Sequence, residues 1–222
     1  DLEECERRGI VVKNAAGYST EAVAELAIAL MIDLYRKVLE NDTITRQCNR
    51  KGIMPGREIG GKTLGIIGMG NIGQRVAKIA NAFGCKVLAW NRTPKQVDGV
   101  TFVDKETLLK ESDIVTLHIA LNVDTRDFIT EKDFALMKPT SLLINTARGP
   151  VVNETALANA LKQGQIAAAA TDVYGKEPPL NQDNPLFSAP NLIMLPHIGF
   201  ATEEAFLLRL GIVVENVMQF LN

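Results

Sequence analysis

Cysteine is scarce in this 222-residue sequence: Cys5, Cys48 and Cys85 stand at neither paired nor metal-ligand spacing. That excludes a disulfide-stapled scaffold and a cysteine metal centre, and it suits a reducing compartment in which the thiols merely pack. A charge excess of either sign is also missing, with 24 Lys+Arg against 26 Asp+Glu and a formal net charge of −2. No long-range field steers such a chain towards nucleic acid or an anionic membrane, so the expected partner is a small, locally recognised molecule. Long hydrophobic runs are lacking too. The most apolar stretch, Ala22–Ile32, contains Glu25 and falls short of the roughly 20 residues that cross a bilayer. The opening residues are charged and lead only into Ile10-Val11-Val12, which is not the pattern of a secretory signal. A cytoplasmic location is the expectation.

What is present is an ordinary globular composition, 46% apolar and 23% charged, enough for a sizeable core in one large or two small domains. Short apolar runs at Thr63–Ile67, Lys86–Trp90, Asp113–His118, Ser141–Asn145, Ala167–Asp172 and Leu192–Leu195 read as strands. Between them Asn71–Phe83, Glu131–Leu136 and Glu154–Gln163 read as helices, the last capped by Asn153 and stopped by Gly164. The alternation predicts an α/β fold with a doubly wound parallel sheet. Two longer helices flank it. One starts near Thr20 with Val23, Leu26, Leu30 and Leu34 at helical spacing; the other follows Thr202 with Phe206, Leu210, Val213 and Val217 on one stripe. Each either bridges to a neighbouring domain or subunit or covers the sheet. At the start, DLEECERRG reads as a helix and IVVKN as a strand, and Gly52–Gly61 reads as the connector into the sheet.

The segment GIIGMGNIGQRVAKIANAFG places Gly68, Gly70 and Gly73 directly after a strand and at the start of a helix. This is the dinucleotide-binding spacing in its required context, of Rossmann type. Gly68 permits the tight turn, Gly70 lets the backbone approach a pyrophosphate, and Gly73 lets the helix pack close to the strand. The helix N-terminus, with Asn71 and Ile72, offers unpaired N–H groups to the phosphates. An NAD site carries Asp or Glu at the end of the next strand to bind the ribose hydroxyl. Here KVLAWNRT supplies Asn91, Arg92 and Thr93 instead. Arg92 is suited to pair with a 2′-phosphate or stack on adenine, with Asn91 and Thr93 donating hydrogen bonds. NADP is therefore the preferred cofactor and NAD the alternative, the latter with Arg92 as a surface side chain.

Three further stretches, INTARGPVVNETAL, ATDVYGKEPP and LPHIGFAT, follow in order. Together with GMGNIG they resemble the D-isomer-specific 2-hydroxyacid dehydrogenase family over nearly the whole chain. The resemblance implies an oxidoreductase acting between NAD(P)H and a small 2-oxo or D-2-hydroxy acid, glyoxylate/hydroxypyruvate reductase-like. The alternatives are an NAD-dependent D-2-hydroxyacid or phosphoglycerate dehydrogenase and, from another class, a dinucleotide-sensing corepressor-like module. His197 is implied as the acid, since imidazole titrates near neutrality. Glu177 would orient it, and Arg148, always charged and forked, would bind the substrate carboxylate and carbonyl. The resemblance places Asp172 at the nicotinamide carboxamide, and His118, Thr146 and Ala147 along the cofactor cleft. It further implies a homodimer formed through the long helices.

Two positions depart from the family pattern: Ala120 replaces a common proline, and Phe200 stands where a small residue is usual, at the expected mouth of the active site. Residues 1–18 are expected to be the remnant of a substrate-binding lobe and 19–222 the dinucleotide-binding domain with its bridging helices. On that expectation the 222 residues bind cofactor but turn over poorly.

Overall fold

The computed structural model describes residues 1–48, 52–93, 95–177 and 180–221. A short helix α1 (Leu2–Arg7), capped by the Asp1 carboxylate, precedes the long α2 (Thr20–Arg36) and α3 (Val38–Arg46). The sheet then begins with β1 (Thr63–Ile67), α4 (Asn71–Ala82), β2 (Lys86–Trp90), β3 (Val100–Phe102), α5 (Lys105–Glu111) and β4 (Ile114–Leu117). It continues through α6 (Glu131–Phe134), β5 (Leu142–Asn145), α7 (Glu154–Lys162), β6 (Ala168–Thr171) and β7 (Leu192–Met194), and α8 (Glu203–Leu221) follows. The seven strands lie in the order β3-β2-β1-β4-β5-β6-β7, and every neighbouring pair is parallel.

The expected strands are all present, the later ones trimmed by a residue or two at their ends. The structure adds β3, α3 and α5. Asn153 caps α7 by accepting the Ala156 N–H at 2.9 Å, and Gly164 ends it at φ +65°. One expectation fails: IVVKN is not a strand, and Ile10, Val11 and Val12 are each more than half exposed. A β-branched run becomes a strand only where a neighbouring strand takes up its backbone N–H and C=O groups, and none lies beside it among the described residues. The thiols also differ from expectation, for Cys85 packs in the core while Cys48 is exposed.

Burial on both faces explains why β4, β5 and β6 are apolar or small except at Asn145, the last residue of β5. One face packs against α2 and α4, through Ala27, Met31, Leu34, Val76, Ala77 and Ala80. The other packs against α5, α6 and α7, through Leu108, Leu109, Phe134, Leu157 and Leu161. Helix α2 thus covers the sheet. Helix α8 does not: Ala205 is its one buried residue, while Leu207, Leu210, Val214, Val217 and Met218 are exposed. It is tied to the N-terminal segment, the Asn216 amide donating to the Asn14 carbonyl at 3.1 Å and the Arg209 guanidinium lying 5.6 Å from the Tyr18 ring centre. Among the described residues no helix is long and apolar enough to cross a membrane.

Because β1 is paired to β2 on one side and β4 on the other, the connections leaving β1 and β4 diverge. The crevice between them, at the carboxyl ends of the strands, is where open α/β sheets receive ligands.

Candidate active site

The loop after β1 forms one lip of this crevice. Gly68 has φ +102°, and a Cβ there would stand 2.6 Å from the His118 carbonyl; a Cβ on Gly73 would overlap the Gly68 carbonyl oxygen. Both glycines are required by packing. Gly70 differs: it is exposed, and a Cβ there would meet nothing within 4 Å. The opening in front of Gly70, beside the free N–H groups of α4, is a cradle of the kind that accepts a phosphate.

Asn91 departs from its expected role. Its side-chain oxygen accepts the Met69 N–H at 3.1 Å and its amide donates to the Thr93 carbonyl at 2.7 Å. The amide is thus occupied in joining the glycine loop to the turn after β2, because neither backbone has a regular partner there. Arg92 and Thr93 are exposed beside it, and the Lys95 ammonium reaches the Met69 carbonyl at 3.4 Å.

Deeper in the crevice a cavity of about 460 Å³ collects Ile72, His118, Thr146, Ala147, Arg148, Asp172 and His197. Residues from three strand ends, β4, β5 and β6, and from the loop after β7 therefore meet. Tyr18, Ser19 and Val23 at the start of α2, with Phe200, complete the wall. Sequence reasoning missed Tyr18 and Ser19, although their place immediately before a predicted helix was a usable signal. Two buried polar atoms on this wall, His118 Nδ1 and Thr146 Oγ1, have no protein partner. Burial holds the His118 ring neutral, its pKa pushed down to about 4, and its Nε2 is within 3.0 Å of Thr116 Oγ1. Unpartnered polar atoms in residues that line a cavity fit a ligand that offers hydrogen bonds, and with the Gly70 cradle they fit a dinucleotide.

Asp172 is also more than a cavity residue. Its carboxylate accepts the Ile198 N–H at 2.8 Å and the Gly199 N–H at 2.7 Å, which braces the turn on which His197 sits at φ +58°. Burial raises its pKa, and the two N–H donors and His197 oppose that rise. His197 Nδ1 is hydrogen-bonded to Glu177 Oε2, while Glu177 Oε1 accepts the Tyr174 N–H at 3.3 Å. The His197 ring meets Phe200 edge-on, with centres 5.7 Å apart. Arg148, exposed at the cavity edge, donates to the Ala147 carbonyl at 2.6 Å. A hydrogen-bonded His–Glu pair and a guanidinium facing one cavity can hold an anion and move a proton beside it.

The comparisons agree with this fold. The family described as D-isomer specific 2-hydroxyacid dehydrogenase, NAD binding domain, matches residues 28–199. The glyoxylate reductase of Thermococcus litoralis is 44% identical, the match covering 99% of this chain and 70% of that protein. Among solved structures, an acyclic imino acid reductase in complex with NADPH and D-Arg superposes with a TM-score of 0.92 at 39% identity, covering all of this chain and 71% of that one. A D-lactate dehydrogenase from Aquifex aeolicus complexed with NAD and lactic acid gives 0.91 at 32% identity, over all of this chain and 72% of that one.

Proposed function

The chain belongs to the D-isomer-specific 2-hydroxyacid dehydrogenase family, and from that premise we propose that it reduces small 2-oxo acids of the glyoxylate or hydroxypyruvate type. It is an oxidoreductase that moves a hydride between a nicotinamide cofactor and its substrate. The observation that carries the substrate reading is that Arg148 and His197 line one cavity, with Glu177 hydrogen-bonded to the His197 ring.

When bound, the nicotinamide cofactor supplies the hydride. Gly70, Asn71 and the first turn of α4 hold its pyrophosphate, and Ile72, His118, Thr146, Ala147 and Asp172 line the remainder of its site. Arg148 grips the substrate carboxylate and draws electron density from the carbonyl. His197 gives a proton to the carbonyl oxygen during reduction and takes it back during oxidation. Glu177 fixes the ring by holding Nδ1–H, leaving Nε2 to handle that proton. NADPH is the preferred reductant, since the turn after β2 presents Arg92 and Lys95 and its Asn91 brings no carboxylate to repel a 2′-phosphate.

In this proposal residues 1–18 belong to a substrate-binding lobe, and the exposed apolar length of α8 is where that lobe rests. Assembly as a homodimer is part of the same proposal. The test is turnover of glyoxylate and hydroxypyruvate with NADPH by the chain joined to that lobe. Consumption of NADPH on either acid is the expected result; activity confined to oxidation of phosphorylated hydroxy acids with NAD would overturn it.

A further inference from the structure

The turn Tyr174–Glu177 presents the carboxylate that faces His197, and its own residues close it with a single weak bond, from the Tyr174 N–H to Glu177 Oε1 at 3.3 Å. Firmer anchoring comes from outside the turn. Glu154, the first residue of α7, accepts the Gly175 N–H through Oε1 at 2.6 Å and the Asn184 amide through Oε2 at 3.1 Å. Glu154 is not needed as the cap of its helix, because Asn153 already takes that place. Its carboxylate instead reaches across 21 residues of sequence to the middle of the turn. It lines no part of the cavity and does not touch His197.

We propose that Glu154 is a positioning residue for the proton-handling pair: by holding the Gly175 N–H it fixes the turn that keeps Glu177 against His197. This rests on the reading of His197 and Glu177 as that pair. The requirement is for an acceptor oxygen at a given place, not for a charge. Gln at this position keeps such an oxygen for Gly175 and gives up only the acceptor for the Asn184 amide, whose own oxygen stays with the Leu186 N–H at 2.9 Å. Asp keeps the charge but withdraws the oxygen by one methylene. Positioning and electrostatics therefore make opposite demands on the two substitutions.

The chain has two histidines, so ¹⁵N spectra of histidine-labelled protein contain two rings, and His118 serves as the internal reference. At a pH where the rings are neutral, the nitrogen shifts report which nitrogen carries the proton. The parent is expected to show His197 as a single Nδ1–H form. Glu154→Ala is expected to lose that single form and show a mixture, with His118 unmoved; Glu154→Gln restores the parent pattern and Glu154→Asp reproduces the Ala pattern. Glu177→Gln is the control for the underlying pair and is expected to change the His197 signals. No change in Glu177→Gln would overturn the pair itself. A changed Glu177→Gln with parent-like Glu154→Ala would overturn the positioning role alone, as would a mixture in Glu154→Gln. Should Glu154→Ala fail to fold, Glu154→Asp decides: parent-like signals overturn the proposal, and a mixture supports it.

Discussion

Gly149 and Tyr174 approach so closely that a Cβ on Gly149 would lie inside the van der Waals envelope of the Tyr174 carbonyl group. The contact joins the loop that carries Arg148 to the turn that carries Glu177, so Arg148 and the partner of His197 share one backbone contact. Gly149→Ala is expected to push the two loops apart and to lower stability by about 1–3 kcal/mol, the usual cost of forcing atoms into a packed site. Urea unfolding of parent and variant measures this; equal midpoints would mean that the loops yield freely and that the contact positions nothing.

The three glycines of the dinucleotide loop should separate by experiment. Gly68→Ala places a side chain at φ +102° and 2.6 Å from the His118 carbonyl, so it should unfold at markedly lower temperature. Gly70→Ala meets no protein atom within 4 Å and should melt with the parent while binding NADPH at least about tenfold more weakly, because the new methyl group occupies the approach to the phosphates. Thermal melts and nicotinamide fluorescence titrations distinguish the two. Parent-like NADPH affinity in Gly70→Ala would remove the phosphates from that cradle.

Much of this architecture is legible in the chain. β1 and β2 are read to the residue because in each a polar residue, Thr63 or Lys86, opens a short mainly apolar run that stops at Gly68 or Asn91. β3 escapes because three half-exposed residues at a sheet edge, Val100–Phe102, make no pattern of their own. α5 is short, yet Asp104, whose carboxylate accepts the Thr107 N–H at 2.8 Å, was a readable cap. IVVKN misleads in the opposite sense, since strand propensity without a partner strand produces no strand. At the site, glycine spacing and motif order mark Gly68 to Gly73, Arg148, Glu177 and His197. The engagements of Asn91 with Met69, of Asp172 with Gly199 and of Glu154 with Gly175 are different in kind. Each joins loops 21 to 27 residues apart, and only the folded backbone brings those groups together.

His118 ties stability to pH. Its pKa falls from 6.5 to about 4 through burial, so between those values the unfolded chain binds a proton that the folded chain refuses. Stability therefore declines as pH falls from about 6.5 towards 4, by up to about 3 kcal/mol. Asp172 works against this: its raised pKa lets the fold take up a proton first as pH falls. Comparison with His118→Gln isolates the histidine, because Asp172 is common to both proteins. The variant should lose less stability over this window, and parallel curves would show that His118 ionises freely in the fold.

In the chain joined to the proposed substrate-binding lobe, His197→Asn should lower turnover by about 10²–10⁴-fold, the range for loss of a general acid. NADPH affinity should stay within about threefold of the parent, since the ring is not among the groups proposed to hold the cofactor. Parallel measurement of kcat and of NADPH binding checks both halves, and undiminished kcat would remove His197 from the acid role.

Cofactor preference turns on a single short loop. Arg92 is exposed, Lys95 reaches the Met69 carbonyl, and Asn91 holds the loop with both ends of its amide. If the Arg92 guanidinium pairs with a 2′-phosphate, Arg92→Ala removes a charge-assisted bond that NADH never makes, and NADPH affinity should fall about 10- to 100-fold while NADH affinity holds. Equal loss for both cofactors would instead mark Arg92 as a stacking partner of the adenine. Asn91→Asp provides the converse. The carboxylate can still accept the Met69 N–H, but it gives up the bond to Thr93 and puts a negative charge where the 2′-phosphate would lie. NADPH binding should then weaken and the preference move towards NADH; an unchanged preference in both variants would mean that the loop after β2 does not select the cofactor.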